Sequence, residues 1–81
     1  MTIREEVVEI LEKKAAALFQ IDAAALSENT RFEEDLHCKS TNYVQFTAAL
    51  EDEYEIEVPY MAFRRNKTLG EAGDYIEKLL G

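Results

Sequence analysis

Only one cysteine occurs in the chain, Cys38, and only one histidine, His37. A lone cysteine excludes an internal disulfide and any multi-cysteine metal site, and it suits a reducing compartment. The two residues are adjacent, but neighbouring side chains on a helix or strand diverge, which argues against a Cys–His pair. Asp35, His37 and Ser40 crowd into one short segment, a poor scaffold for a catalytic triad. Basic residues are also scarce: 9 stand against 17 acidic ones, for a net charge of -8. Such a chain repels nucleic acid and anionic headgroups and is steered toward proteins with basic patches. No apolar run is long enough for a signal peptide or a membrane-spanning helix, so the expectation is a cytoplasmic protein with no membrane insertion. There is no repeat, no low-complexity tract and no β-alternation of useful length. These shortages leave no enzyme in view.

What is present is helical. Hydrophobic residues make up 47% of the 81 residues, enough for one core and one domain over residues 1–81, with a monomer as the default. Thr2-Ile3-Arg4-Glu5 is a capping box. Ile3, Val7, Ile10, Leu11, Leu18 and Phe19 follow at helical spacing, predicting a helix over residues 3–19. Between 21 and 39 the pattern weakens. Ile21, Leu26, Phe32 and Leu36 are spaced as anchors for an ordered loop, and Thr30-Arg31-Phe32-Glu33 allows a short helical turn. A second helix is expected over 40–54, turning Tyr43, Phe46, Thr47, Leu50 and Tyr54 inward. Val44 and Ala48 form a narrower apolar stripe beside Gln45, Glu51 and Asp52, suited to partner contact. Pro59, the only proline, marks a break. One or two helical turns fit 60–65, and Thr68-Leu69-Gly70-Glu71 opens a last helix bearing Leu69, Ala72, Tyr75, Ile76, Leu79 and Leu80. Gly73, unfavourable inside a helix, suggests a close helix contact there. The fold class is all-α: a small four-helix bundle of three principal helices, one short helix and a long first loop.

The acidic run Glu33-Glu34-Asp35 lacks the calcium-loop pattern and reads as a solvated turn, so no metal site is assigned. Ser40 is the residue of interest. Serine is a preferred N-cap. A helix N-terminus also stabilises a phosphate ester through unpaired amides and the helix dipole, and Lys39 adds a positive charge. The residues alone fit both a capping hydroxyl and an esterified one.

The order and spacing of several short motifs resemble the acyl carrier protein family over nearly the whole chain. They are Ile21-Asp22, Thr30-Arg31-Phe32, Glu34-Asp35-Leu36, Ser40, Ala49-Leu50-Glu51-Asp52-Glu53-Tyr54, Ile56-Glu57-Val58-Pro59, Thr68-Leu69-Gly70 and Asp74-Tyr75-Ile76. The resemblance implies that Ser40 carries 4′-phosphopantetheine, derived from coenzyme A, flanked by Lys39 and Thr41. It implies partners too: a phosphopantetheinyl transferase, and acyl-loading and acyl-processing enzymes of fatty-acid, polyketide or related biosynthesis. These would dock on the second helix, with Val44, Gln45, Ala48, Glu51 and Asp52 as the contact residues, and the bundle core would shelter the acyl chain. The family's Asp-Ser-Leu is Lys39-Ser40-Thr41 here. Asn42 and Gln45 stand at positions often acidic, and Arg64, Arg65 and Lys67 in a region commonly acidic. These changes suggest a specialised carrier, with positive charge moved toward the far side of the second helix. Phe19, Phe46, Tyr54, Phe63 and Tyr75 are expected to pack the interior. The rivals are an unmodified interaction module on the same fold, and an aminoacyl or peptidyl carrier.

Overall fold

In a computed structural model describing residues 1–81, four α-helices surround one core: α1 Ile3–Phe19, α2 Ser40–Tyr54, α3 Tyr60–Arg64 and α4 Leu69–Leu80. The capping box that opens α1 is formed in full, the Glu5 amide donating to Thr2 Oγ1 (3.1 Å) and the Thr2 amide to Glu5 Oε1 (2.9 Å). At the start of α4 the Glu71 amide donates to Thr68 Oγ1 (3.1 Å). Helices α1 and α4 share the most extensive interface, while α2 packs on α1 and α3. No helix is long and apolar enough to cross a membrane.

Close approach of α1 and α4 depends on Gly73, as its sequence position suggested. A Cβ there would lie 3.0 Å from Val8 Cγ2 and 3.1 Å from both Arg4 Cγ and the Arg4 carbonyl oxygen. Gly73→Leu is therefore expected to destabilise by about 1–3 kcal/mol through overpacking, although leucine is the better helix former. Thermal unfolding checks this; an unchanged or raised midpoint would mean the interface is looser than it looks.

The core centres on an aromatic cluster. Phe32 lies 5.4 Å from Phe46, 5.5 Å from Tyr43 and 5.7 Å from Phe63 by ring centroids, and all four are buried. Val7, Leu11, Leu50, Leu69 and Ile76 complete the surrounding layer. Of the expected inward residues of α2, Tyr43, Phe46, Thr47 and Leu50 are buried. Tyr54 is half-buried, its hydroxyl donating to Glu6 Oε1 at 2.7 Å. Phe19 and Tyr75 are likewise only half-buried at the core's edge.

The long loop is ordered, and three of its four expected anchors hold it. Phe32 and Leu36 are buried anchors and Leu26 is half-buried, whereas Ile21 stays 39% exposed. A 3-10 turn over Ala23–Ala25 is capped by Asp22, whose Oδ1 accepts from the Ala24 amide (2.9 Å). Thr30 opens no helix: its hydroxyl faces back and accepts from the Ser27 amide (2.9 Å). A single backbone bridge then ties the loop to the start of α4, with Phe32 N donating to Lys67 O and Leu69 N to Thr30 O, both at 3.0 Å.

Candidate functional site

Residues 31–38 wind into successive turns that deliver the chain to α2. Leu36 N and Asp35 N both donate to Arg31 O, His37 N to Glu33 O and Cys38 N to Phe32 O. Asp35 fixes the turn's start, accepting from the Arg31 amide (2.8 Å) and from its guanidinium (3.3 Å). These bonds hold the Asp35 carboxyl below its ordinary value of 3.8, the backbone amide contributing most. Because the folded value is the lower one, Asp35 stabilises fully above 3.8, and the contribution is lost as pH falls through the depressed value. Asp35→Asn is expected to lower the melting temperature at neutral pH, with the two proteins converging under acid. A gap of constant size at every pH would contradict this.

Cys38 is half-buried and its thiol is pushed up to about 11, chiefly by desolvation with Glu33 adding to it. At neutral pH it is a thiol and a poor nucleophile. The acidic loop residues form no cluster able to hold a metal.

Ser40 stands exposed as the first residue of α2, one position inside the helix. It is not the N-cap. Lys39 occupies that position, and Asn42 satisfies its backbone, the Asn42 Oδ1 accepting from the Lys39 amide (2.9 Å). The amides of Ser40 and Thr41 have no partner in the chain, and no acidic residue lies in the first turn. An anion at Ser40 thus meets two free donors and the positive end of the α2 dipole.

A third group closes on Ser40 from α3. Arg64 Nη1 donates to Ser40 Oγ (3.0 Å) and to Tyr60 Oη (2.6 Å), and its guanidinium carbon lies 4.8 Å from the Tyr43 ring centroid. Positive charge thus sits at the front of α2, where sequence reasoning expected it on the far side. The fold explains the difference: α2 is capped by Glu55 in a left-handed conformation, and the short α3 that follows Pro59 brings Arg64, in its last turn, to Ser40 at the N-terminus of α2. The one local hint was Tyr60 and Arg64 at helical spacing on YMAFR. Interaction with the Ser40 hydroxyl, then with Arg64, holds Tyr60 below its usual range, while burial pushes Tyr43 up to about 12.

Lys39 and Thr41 are exposed beside Ser40. Further along α2, Val44 (53% exposed), Gln45, Ala48 and Asp52 face outward. Glu51 does not join them freely: its Oε2 accepts from the Val58 amide (2.9 Å), bracing the turn after α2. The aromatic centre is filled, and the surface clefts include one of about 310 Å³ bordered by Arg31, Glu33, Tyr43 and Arg64.

Comparison with known proteins finds likeness over almost the full length of the chain. The chain is 35% identical to the acyl carrier protein of Lactobacillus acidophilus over 77 residues, covering 95% of this chain and 96% of that protein. A solved structure of the acyl carrier protein from Enterococcus faecalis superimposes with a TM-score of 0.70 at 29% identity, covering 95% of this chain and 98% of that one. No family model matches the chain.

Proposed function

The chain belongs to the acyl carrier protein family, whose members are carriers and not enzymes, and on that premise we propose that Ser40 is the attachment point of 4′-phosphopantetheine. The observation that carries this reading is an exposed hydroxyl on the first turn of α2, with two unpartnered amides beside it. A phosphodiester fits such a position. The amides of Ser40 and Thr41 would receive its charge, and Lys39 would offset it. Once attached, the group supplies a terminal thiol that holds acyl cargo as a thioester.

The chain's own part is mechanical. Phe32 and Leu36 fasten the loop before α2, and Tyr43 and Phe46 seat the helix, so Ser40 is held outward on a rigid element. A transferase then meets a fixed hydroxyl, and acyl-loading and acyl-processing enzymes meet the outward face of Val44, Gln45, Ala48 and Asp52, with Glu51 at its edge. We assign this work to the cytoplasm and to one carrier domain over residues 1–81. Lys39 and Thr41 beside Ser40, with Asn42 and Gln45 on the following turn, favour dedicated partners over those of a general fatty-acid carrier, because exposed charges govern encounter and partner choice.

Incubation with coenzyme A and a broad-specificity transferase, followed by intact mass measurement, tests the attachment. One phosphopantetheinyl group per chain is expected. An unchanged mass would favour an unmodified interaction module. Exchange with housekeeping fatty-acid enzymes tests specialisation, and full activity at ordinary efficiency would remove that part of the reading.

A further inference from the structure

Arg64 is a cation held in place by neutral groups. Arg4 is paired with Glu28 and Asp74, and Arg31 with Glu34 and Asp35. Arg64 has no such partner; its contacts are the Tyr43 ring face and the hydroxyls of Tyr60 and Ser40. Glu33 borders the same cleft but forms no ion pair with it. The guanidinium is therefore positioned before any anion arrives, and stacking on an aromatic face and the α3 C-terminus both favour a cation there.

We infer that Arg64 anchors the phosphate of the group carried on Ser40, with Tyr43 and Tyr60 holding its guanidinium ready. The inference rests on the attachment proposed above and deepens it. Esterification replaces the Ser40 hydroxyl hydrogen with phosphorus, one bond from the atom that Arg64 touches at 3.0 Å. The ester oxygen becomes a weak acceptor, while the non-bridging oxygens beside it are charged and suit the guanidinium fork. Because Tyr60 and Tyr43 already order the side chain, little freedom is lost when the contact forms. The base of the arm is thereby tied to α3 as well as α2. Lys39 and Arg64 together set two cations around Ser40 in a chain of net charge -8.

Wild type, Arg64→Gln, Arg64→Lys and Tyr60→Phe, each with and without the arm loaded from coenzyme A, test the inference by melting temperature and by the 31P signal of the phosphodiester. Loading is expected to raise the wild-type midpoint by about 4–8 °C, the shift of one well-ordered exposed ion-pair contact in a domain of this size. It should raise the Arg64→Gln midpoint by clearly less, through the two amides and Lys39 alone, with Arg64→Lys between the two. The wild-type 31P signal should sit apart from that of a free diester and return toward it in Arg64→Gln and at high salt. If Arg64→Gln lowers the midpoint equally in loaded and unloaded protein, with an unmoved 31P signal, Arg64 is structural and the inference is overturned. Should Arg64→Gln resist loading, Tyr60→Phe decides, since it keeps the cation but loosens it and should shift the signal partway; no shift there overturns the anchor. Absence of any mass gain in wild type would overturn the attachment reading and the anchor with it, whereas loading without these shifts removes the anchor alone.

Discussion

Ser40→Ala is expected to abolish loading completely while changing stability by no more than about 0.5 kcal/mol, the range of an exposed substitution away from structural features. The two halves of this result rest on different observations. Loading fails because the hydroxyl oxygen is the atom that would be esterified. Stability holds because Ser40 is inside the helix and caps nothing: the Lys39 amide is satisfied by Asn42 at 2.9 Å. Alanine removes only the exposed bond from Arg64, whose guanidinium keeps Tyr60 and the Tyr43 ring. Loss of an N-cap would instead cost about 1 kcal/mol. Intact mass after incubation with transferase, paired with urea unfolding, reads both quantities. An alanine protein that still gains the group would move the attachment site elsewhere, and a cost near ~1 kcal/mol would restore the capping role.

Phe32→Ala is expected to cost about 3–5 kcal/mol, more than any other substitution proposed above. Phe32 is fully buried and its ring meets those of Phe46, Tyr43 and Phe63. A domain's total stability is about 5–15 kcal/mol, so a small one loses a large share of it. The consequence also reaches the site. Phe32 belongs to the loop, and its backbone accepts from Cys38 and donates to Lys67, joining the approach to α2 with the start of α4. Removing the ring should therefore slow loading at temperatures where the protein remains folded. Urea unfolding measures the cost. A loss below about 1 kcal/mol would mean the cluster closes over the gap, contrary to the dense packing expected of cores.

Much of this architecture could be read from the chain because local signals and the tertiary fold agree. Thr2-x-x-Glu5 and Thr68-x-x-Glu71 mark helices that begin at Ile3 and Leu69, and the apolar spacing after Ser40 gives a helix ending at Tyr54. The stops of α1 and α2 carried no such mark. Gln20 and Glu55 take left-handed conformations at φ 55° and 53°, where glycine would have been the expected signal. The direction of the Thr30 hydroxyl was equally hidden, since serine and threonine can serve the backbone on either side. At the site, Ser40 was legible as a residue but not in its role in the helix, because one step separates a cap from a first-turn position. The pairing of Arg64 with Tyr60 had a local hint, but its bond to Ser40 spans 24 positions and exists only because α3 packs beside the start of α2. Glu51 is similar. Its sequence position gave no sign that its carboxylate also accepts from the Val58 amide within the fold.

Whether this chain works as a carrier is tested most directly by the intact mass of the protein isolated from its native cell, beside Ser40→Ala produced in the same cell. One phosphopantetheinyl group is expected on the natural protein and none on the alanine form, with any further mass on the thiol belonging to the acyl cargo. A natural protein with the bare mass of its sequence, still bare after incubation with coenzyme A and a broad-specificity transferase, would contradict a carrier role.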